Sequence, residues 1–431
     1  MDQQDEKLWN EGLAVVKALV DHGHAAYLVG GCVRDRLLGR KLNDIDIATS
    51  AKPEEVIELF ARTVPTGLKH GTITVIEKGY TFEVTTFRQE FGYSDGRRPD
   101  EVLFVQDVVE DLARRDFTFN AMAIGLDGEV VDPFGGKVDL EVGLVSAVGD
   151  AAERFDEDAL RMLRAIRFAA EFDFELSPEV WQGIISQRAK LNQIAMERVS
   201  VEWDKMMAGS GPEQACHYLF KSGLLKHVKE PLPSGFMEAV ESYRFNRLPW
   251  EWDSDYTDVG ALGNQLLQLP LIADHDLRWA SLLSGFVMSE EDCSAFCRIL
   301  RLSVRRANRI SGVVGMNDRM IAPTVEAAKD NWIYAVLQYG HSLSIDWLNM
   351  AEAGGQSVEV ERNWLDELAA TSIAELQIRG DELSSLLNKA PGPWIARYLQ
   401  YLLEKVAFGQ LPNERNALLA ESKLIIENNE L

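Results

Sequence analysis

The sequence predicts an α/β head with a small mixed sheet, followed by a chain that is helical to its end. Three observations carry this. An apolar run, Ala25 to Val29, is followed by Gly30-Gly31, a basic leucine-bearing segment and the alternation Asp44-Ile45-Asp46-Ile47. Those periods read as strand, turn, helix and second strand. Further β-rich runs follow at Gly71 to Ile76 and Tyr80 to Phe87, and from Ala151 onward strand signals all but vanish. At 431 residues the chain is too long for one compact core.

Residues 6 to 22 place Leu8, Leu13, Val16 and Leu19 at helical spacing, an amphipathic helix packing on the sheet. After the Gly-Gly turn, Arg34, Arg36, Leu37, Leu38 and Arg40 read as a basic helix. Asp44 and Asp46 then fall on one face of a strand, because successive strand side chains point to opposite faces. Pro53 opens a helix, PEEVIELFAR, with acids in its first turn. The runs GTITVI and YTFEVTTF flank Lys78-Gly79, a hairpin signal. Residues 88 to 105 hold two glycines, a proline and charges of both signs, and predict a long mobile loop. A short helix over 107 to 113 leads into Arg114-Arg115-Asp116-Phe117-Thr118-Phe119-Asn120-Ala121. Val131 to Gly136, VDPFGG, is a turn-rich hinge closing the α/β part.

One helix is predicted over Glu157 to Phe172. Leu160, Leu163 and Ile166 form its apolar stripe. Arg161, Arg164 and Arg167 form a parallel stripe one residue on, and Asp158 stands one turn before Arg161 as an i,i+3 partner.

The net charge of −24 argues against a general nucleic-acid binder, since phosphate contacts need clustered Lys and Arg. It leaves room for an RNA enzyme whose basic residues line one groove. The four cysteines, Cys32, Cys216, Cys293 and Cys297, are too scattered for a disulfide framework. Cys293 and Cys297 read better as two buried thiols on one helix face than as a zinc site. No apolar run reaches membrane-span length, and the acidic, polar start is unlike a signal peptide. The expected setting is a reducing cytoplasm, with no membrane.

Two carboxylates on one strand face repel unless a cation sits between them. Beside a glycine turn that can approach phosphate, Asp44 and Asp46 suggest Mg²⁺ as cofactor and a nucleoside triphosphate as substrate. Gly30 and Gly31 give backbone access to phosphates, and Arg34 and Arg115 supply charge. Asp116 and Asn120 suit ribose hydroxyls.

Tyr27 to Ser50, YLVGGCVRDRLLGRKLNDIDIATS, resembles the nucleotidyltransferase signature of the polymerase-beta-type superfamily. More narrowly, it resembles the class II group of tRNA CCA-adding enzymes and bacterial poly(A) polymerases. RRDFTFNA at 114–121 matches that family's RRDFT-x-NA motif, VDPFGG its linker motif, and Glu157-Asp158 with Arg161 its E-D-x-x-R motif. Glu197-Arg198-Val199-Ser200, with Glu202 and Lys205, resembles its next helical segment, and the stretches 376–387 and 390–394 its tail.

The resemblance implies a polymerase-beta-like head at 1–150, a helical neck at 151–209, a helical body at 210–315 and a tail at 316–431. It implies Glu83 as a third carboxylate beside the metal pair. It places Gly31, Arg34, Arg115, Asp116, Asn120, Asp158, Arg161, Arg164 and Arg167 around the nucleotide. The implied reaction is template-independent addition of CCA to the 3′ end of tRNA from CTP and ATP, with release of pyrophosphate, by two-metal nucleotidyl transfer; a monomer is expected, with a dimer as the alternative. Polarity gives the base pocket an independent rationale. Cytosine and adenine each present an amino donor beside a ring-nitrogen acceptor, and uracil and guanine present the reverse. Asp158 with Arg161 offers an acceptor beside donors, which suits C and A. The rivals are an A-only enzyme, a poly(A) polymerase and an RNA-binding protein on an inactive scaffold, with a CC-only enzyme disfavoured by the stretch 88–105 and a small-molecule adenylyltransferase by the long helical C-terminal half. The acidic end, ESKLIIENNEL, counts against the second, and the intact motif residues count against the third.

Overall fold

The computed structural model describes residues 3–92, 99–242, 265–286, 288–320, 328–386 and 388–427, with side chains in the last helix described to 424. They fall into two compact units. One runs to Leu232; the other takes Pro233–Ser242 and the described residues from 265 onward. The expected head, neck and first part of the body lie in the first unit.

The first helix, α1 (Gln3–Asp21), buries Trp9, Val15, Val16 and Leu19. Strand β1 (Ala26–Val29) leads through Gly30 into α2 (Gly31–Leu37). Then come β2 (Asp46–Thr49), α3 (Pro53–Leu59), β3 (Thr63–Gly67), β4 (Thr72–Glu77), β5 (Tyr80–Thr86), β6 (Arg88–Phe91) and β7 (Glu101–Phe104). After α4 (Val108–Leu112) the sheet is completed by β8 (Ala123–Ile124) and β9 (Val130–Val131). The strand order is β3-β4-β5-β2-β1-β8-β9. Every pair is antiparallel except β2 with β5, so the sheet is mixed, as expected. A parallel pair needs a crossover, and α3 with the β3–β4 hairpin supplies it. Lys78 and Gly79 turn β4 into β5 with φ of 48° and 85°, the positive values a tight hairpin requires.

Three features differ from the sequence reading. Strand β3, TVPTG, was not foreseen because Pro65 interrupts it. Proline cannot donate to a ladder, and β3 is tolerated because it lies at the sheet edge. The expected loop at 88–105 is a hairpin in its arms: β6 pairs with β7 from Arg88↔Phe104 to Phe91↔Glu101. Its charges of both signs hid the strands; Arg88 pairs with Glu90 two residues on. The middle of that stretch, with Asp95, Arg97 and Arg98, lies outside the described residues. Third, the single helix expected over Glu157–Phe172 is two: α5 (Gly136–Val142) precedes α6 (Ala151–Glu157), and α7 (Leu160–Phe172) follows a break. Asp158 sits in the break with φ −143° and ψ 104°. Its Oδ1 accepts the Leu160 N–H at 3.0 Å. Aspartate is a poor interior helix residue and a good cap, because its short side chain competes for nearby backbone donors.

Phe117, Phe119, Phe168 and Phe174 are buried under α7. With Phe172 they make a chain of aromatic contacts, the Phe119 and Phe168 rings meeting edge to face at 5.5 Å. Such contacts seat α7 on the turn that precedes β8. The unit continues through α8 (Pro178–Gln187), α9 (Met196–Ala208) and α10 (Pro212–Ser222).

The second unit is helical throughout its described residues, with helices such as His275–Gly285, Glu290–Ile299, Val304–Met320 and Trp394–Ala407. Cys293 and Cys297 are both buried on one helix. Trp279 is core, as its apolar context implies; Trp250 and Trp252 lie outside the described residues. Among the described residues no helix is long and apolar enough to cross a membrane.

Candidate active site

The site lies on the central strands of the sheet. Asp46 is the first residue of β2. Asp44 stands two residues earlier, in the irregular segment before the strand rather than in the strand itself. Ile45 and Ile47 are buried while Asp44 is exposed and Asp46 half-buried, so the expected alternation holds. In the parallel ladder Asp46 stands opposite Glu83 of β5, and neighbouring strands lie only about 4.8 Å apart. Glu83 is exposed, on an interior strand. Burial, and then the adjacent Asp44, push the Asp46 carboxyl up to about 6; Arg115 lowers it and Glu83 adds to the rise.

Acids of the later motifs are ion-paired. Asp111, Asp116, Glu157, Asp158 and Glu202 each hold an arginine. Among the described residues Asp44, Asp46 and Glu83 have no ion-pair partner. Hard oxygen donors left without a cation fit Mg²⁺, which takes one or two carboxylates and completes its shell with water and phosphate. The protein does not offer a closed cage: among the described residues no three His, Cys, Asp or Glu side chains converge to hold an ion. That suits a metal that arrives with its substrate.

The glycine turn is built for close approach. Gly30 has φ 73°, and a Cβ there would stand 2.6 Å from Arg115 Nη1. Arg115 donates from Nη1 to the Asn120 carbonyl at 3.3 Å and pairs with Asp111 at 3.5 Å. Its Nε is buried without a hydrogen-bond partner, a donor beside the carboxylates that can serve an anion. Gly30→Ala is expected to cost about 1–3 kcal/mol through backbone strain and to push Arg115 off its seat. The checks are a thermal melt and a turnover assay; a variant with wild-type melting temperature and turnover would show that the turn tolerates a side chain.

Gly31 opens α2 directly after this turn. Arg34, expected to supply charge to phosphate, is engaged inside the head. It is buried, donates from Nη1 to Asn120 Oδ1 at 2.7 Å, pairs with Asp35, and lies over the Phe168 and Phe172 rings at 5.2 and 4.8 Å. Asp116 and Asn120 are joined: Asn120 Nδ2 donates to Asp116 Oδ1 at 3.0 Å. Asp116 Oδ2 takes the Arg164 guanidinium at 2.7 Å. Burial alone would raise the Asp116 carboxyl. The charges of Arg164 and Arg161 and the Asn120 bond outweigh it and hold the group well below the usual carboxylate range. A depressed carboxylate stabilises the fold above its unfolded pKa, near 4, and loses that contribution as pH falls through its folded value. The melting temperature of Asp116→Asn should therefore lie furthest below wild type near neutral pH, with the gap closing below about pH 4. A gap independent of pH would refute this linkage.

The arginine stripe of α7 is present and paired along its length. Arg161 holds Glu157 at 2.5 Å and donates to the Arg154 and Arg114 carbonyls at 3.0 and 3.1 Å. Arg164 holds Asp116. Arg167 holds Glu202 at 2.7 Å and Glu171 at 2.8 Å, and lies over the Phe168 ring at 4.1 Å. The expected Asp158–Arg161 pair is not formed. The helix break at Asp158 removes the i,i+3 geometry, and Asp158 instead holds Arg198 of α9, Nη2 to Oδ2 at 2.7 Å. Arg198 as the partner of Asp158 was missed. The signal was in the spacing of Arg198, Glu202 and Lys205, which puts them on one face of α9. A cavity of about 520 Å³ adjoins the site, lined by Thr66, His70, Thr72, Glu83, Arg88, Arg114 and Arg198 among others.

Carboxylates on the central strands, a glycine turn at β1 and a helical neck beside them define a nucleotidyltransferase of the polymerase-beta-like type. Comparison with known proteins agrees. The family described as "Poly A polymerase head domain" matches residues 26–146. "Probable RNA and SrmB- binding site of polymerase A" matches 173–233. "tRNA nucleotidyltransferase domain 2 putative" matches 272–421. A CCA-adding enzyme of Bacillus mycoides is 36% identical over 411 residues, covering 93% of this chain and 95% of that protein. One from Bacillus cytotoxicus is 36% identical over 415 residues, covering 94% and 96%. The crystal structure of the Bacillus stearothermophilus CCA-adding enzyme in complex with CTP superposes with a TM-score of 0.77 at 30% identity, covering 100% of this chain and 99% of that one. The Thermotoga maritima enzyme complexed with tRNA shares the fold, with a TM-score of 0.65 at 21% identity, covering 99% and 96%. The chain belongs to the CCA-adding enzymes, class II tRNA nucleotidyltransferases of the tRNA nucleotidyltransferase/poly(A) polymerase family.

Proposed function

We propose that this protein adds C, C and A in turn to the 3′ end of tRNA, using CTP and ATP and releasing pyrophosphate. The carrying observation is the trio Asp44, Asp46 and Glu83, without an ion-pair partner among the described residues while Asp111, Asp116, Glu157, Asp158 and Glu202 each hold an arginine. Asp44 and Asp46 would hold Mg²⁺, with Glu83 opposite on β5. The metal would lower the pKa of the RNA 3′-hydroxyl and offset charge on the leaving pyrophosphate.

The chain's own residues do the rest. Arg115, whose charge reaches Asp46 and whose Nε is without a hydrogen-bond partner, would balance phosphate charge. The joined Asp116 and Asn120 present a fixed acceptor and donor to a ribose. Asp158 and Arg161 read the base edge. Asp158 accepts the amino hydrogen that cytosine and adenine share, and Arg161 donates to the ring nitrogen beside it. Uracil and guanine would set carbonyl against carboxylate and leave buried polar groups unpaired. Arg164 and Arg167, tied to Asp116 and Glu202, hold the reading helix in place.

The test is incubation with Mg²⁺ and a tRNA transcript lacking its last three nucleotides. CTP alone is expected to give CC ends, and both nucleotides CCA ends. A protein that extends only transcripts already ending in CC, and only with ATP, would be an A-adding enzyme.

A further inference from the structure

We propose, on the reading of tRNA as the substrate, that the turn joining the helices Glu290–Ile299 and Val304–Met320 docks on the backbone of an RNA duplex. Arg298, Arg301 and Arg305 are the residues that grip its phosphates.

A net charge of −24 sets the chain as a whole against a polyanion, and this stretch departs from it. Between Asp292 and Asp318 there is no acid, and Arg298, Arg301, Arg305, Arg306 and Arg309 all fall there. The structure divides these five. Arg306 and Arg309 serve the fold: Arg306 holds Asp276 at 2.7 Å, and Arg309 holds Asp274 and Asp346, each at 2.8 Å. Arg298, Arg301 and Arg305 are exposed. Arg298 and Arg305 have no ion-pair partner among the described residues.

Nor does the fold ask for arginine at these places. Arg301 has φ 56°, a left-handed conformation just past a helix end, which glycine takes at least cost. Its N–H donates to the Arg298 carbonyl and the Leu302 N–H to the Cys297 carbonyl, both at 3.0 Å, so the turn is closed and its direction fixed. Arg305 stands in the first turn of the following helix, beside the exposed Val304. That end of a helix favours acids and disfavours cations. One arginine kept where glycine is easier, and another kept where an acid is better, point to a use outside the fold.

The chemistry selects the partner. Guanidinium forks match phosphate oxygens, and a polyanion can engage all three at once. Single strands are held largely by stacking on aromatic rings. Here Phe296 is buried, and no aromatic residue follows it before Trp332. That leaves the backbone of a duplex, whose contacts position RNA without reading its sequence.

The experiment measures binding of a tRNA transcript lacking CCA, without nucleotides, over a series of salt concentrations. In parallel it measures kcat for C addition at saturating tRNA. The combined variant Arg298→Gln, Arg301→Gln, Arg305→Gln is expected to bind about ten- to a hundredfold more weakly near physiological salt. Its slope of log affinity against log salt should be shallower by about two to three, with kcat unchanged. Arg301→Gly should melt at or above the wild-type temperature, because the turn favours glycine, and still lose about one unit of slope. A short single-stranded RNA ending in CC should bind the wild type and the combined variant alike. Unchanged affinity and slope for tRNA in the combined variant would overturn the proposal and leave the turn to an acidic protein surface. Weaker binding with an unchanged slope would also overturn it, since the substitutions would then act through the fold. Equal losses for tRNA and the single strand would overturn the assignment to a duplex. A wild-type protein that binds tRNA through these arginines but adds no nucleotide would overturn the proposed function and leave this surface standing.

Discussion

Asp46→Ala is expected to abolish incorporation of both C and A while leaving tRNA affinity near wild type. Disturbing a partner of a metal ligand costs about 10- to 100-fold, so loss of a ligand itself should exceed about a hundredfold. Asp46 carries this role more firmly than Asp44 because it is half-buried, fixed in β2 and registered against Glu83. The variant should fold at least as well as the wild type in metal-free buffer. It removes a carboxylate that is largely desolvated and repelled by Asp44 and Glu83, against which the nearby Arg115 charge acts without forming an ion pair among the described residues. A melting temperature at or above wild type, with turnover lost, is the full expected result. More than about a tenth of wild-type turnover at saturating Mg²⁺ is incompatible with metal ligation by Asp46.

Asp158→Ala should relax selection against UTP and GTP by about ten- to a hundredfold, because the acceptor that demands an amino group is gone. The substitution also strands Arg198, whose charge then lacks its ion pair, so overall turnover should fall as well. The two effects are separable: a stranded arginine slows all nucleotides, whereas a lost acceptor favours the wrong ones. Competition between CTP and UTP in one reaction, read by sequencing the products, checks the ratio independently of absolute rate. Unchanged selectivity would mean that the base is read elsewhere.

The parts legible in the sequence are those whose chemistry is local. Asp44-Ile45-Asp46-Ile47 announced its faces because Ile45 and Ile47 had to be buried, and the Lys78-Gly79 hairpin followed from two residues with positive φ. The arginine stripe of α7 followed from helical period alone. The failures are of two kinds. β3 and the β6–β7 arms were hidden because Pro65 and mixed charges dilute a β signal that only pairing with another strand makes decisive. Asp158 was misplaced because composition over Glu157–Phe172 favours one helix, whereas the Asp158 side chain caps α7 and ends α6. Its bond to Arg198, forty positions along the chain, is a tertiary fact that no local period encodes. Nor does sequence show that Arg34 reaches Asn120 and two phenylalanine rings.

The phenylalanine cluster under α7 makes the enzyme a gauge. Phe119 sits one short turn before β8, which is laddered to β1 and through it to β2. Phe119 is also locked edge-on against Phe168 and Phe172 of α7. The span from β2 to α7 is thus set by close-packed rings, and such packing does not stretch by degrees. On the function proposed above, a pyrimidine and a purine would be measured against the same unmoving ruler. The difference in their size would then be absorbed by the end of the RNA that meets them. Fidelity without a template becomes a matter of stiffness: whatever softens this aromatic seat, whether heat or a smaller ring, should show first as wrong letters and only later as lost activity.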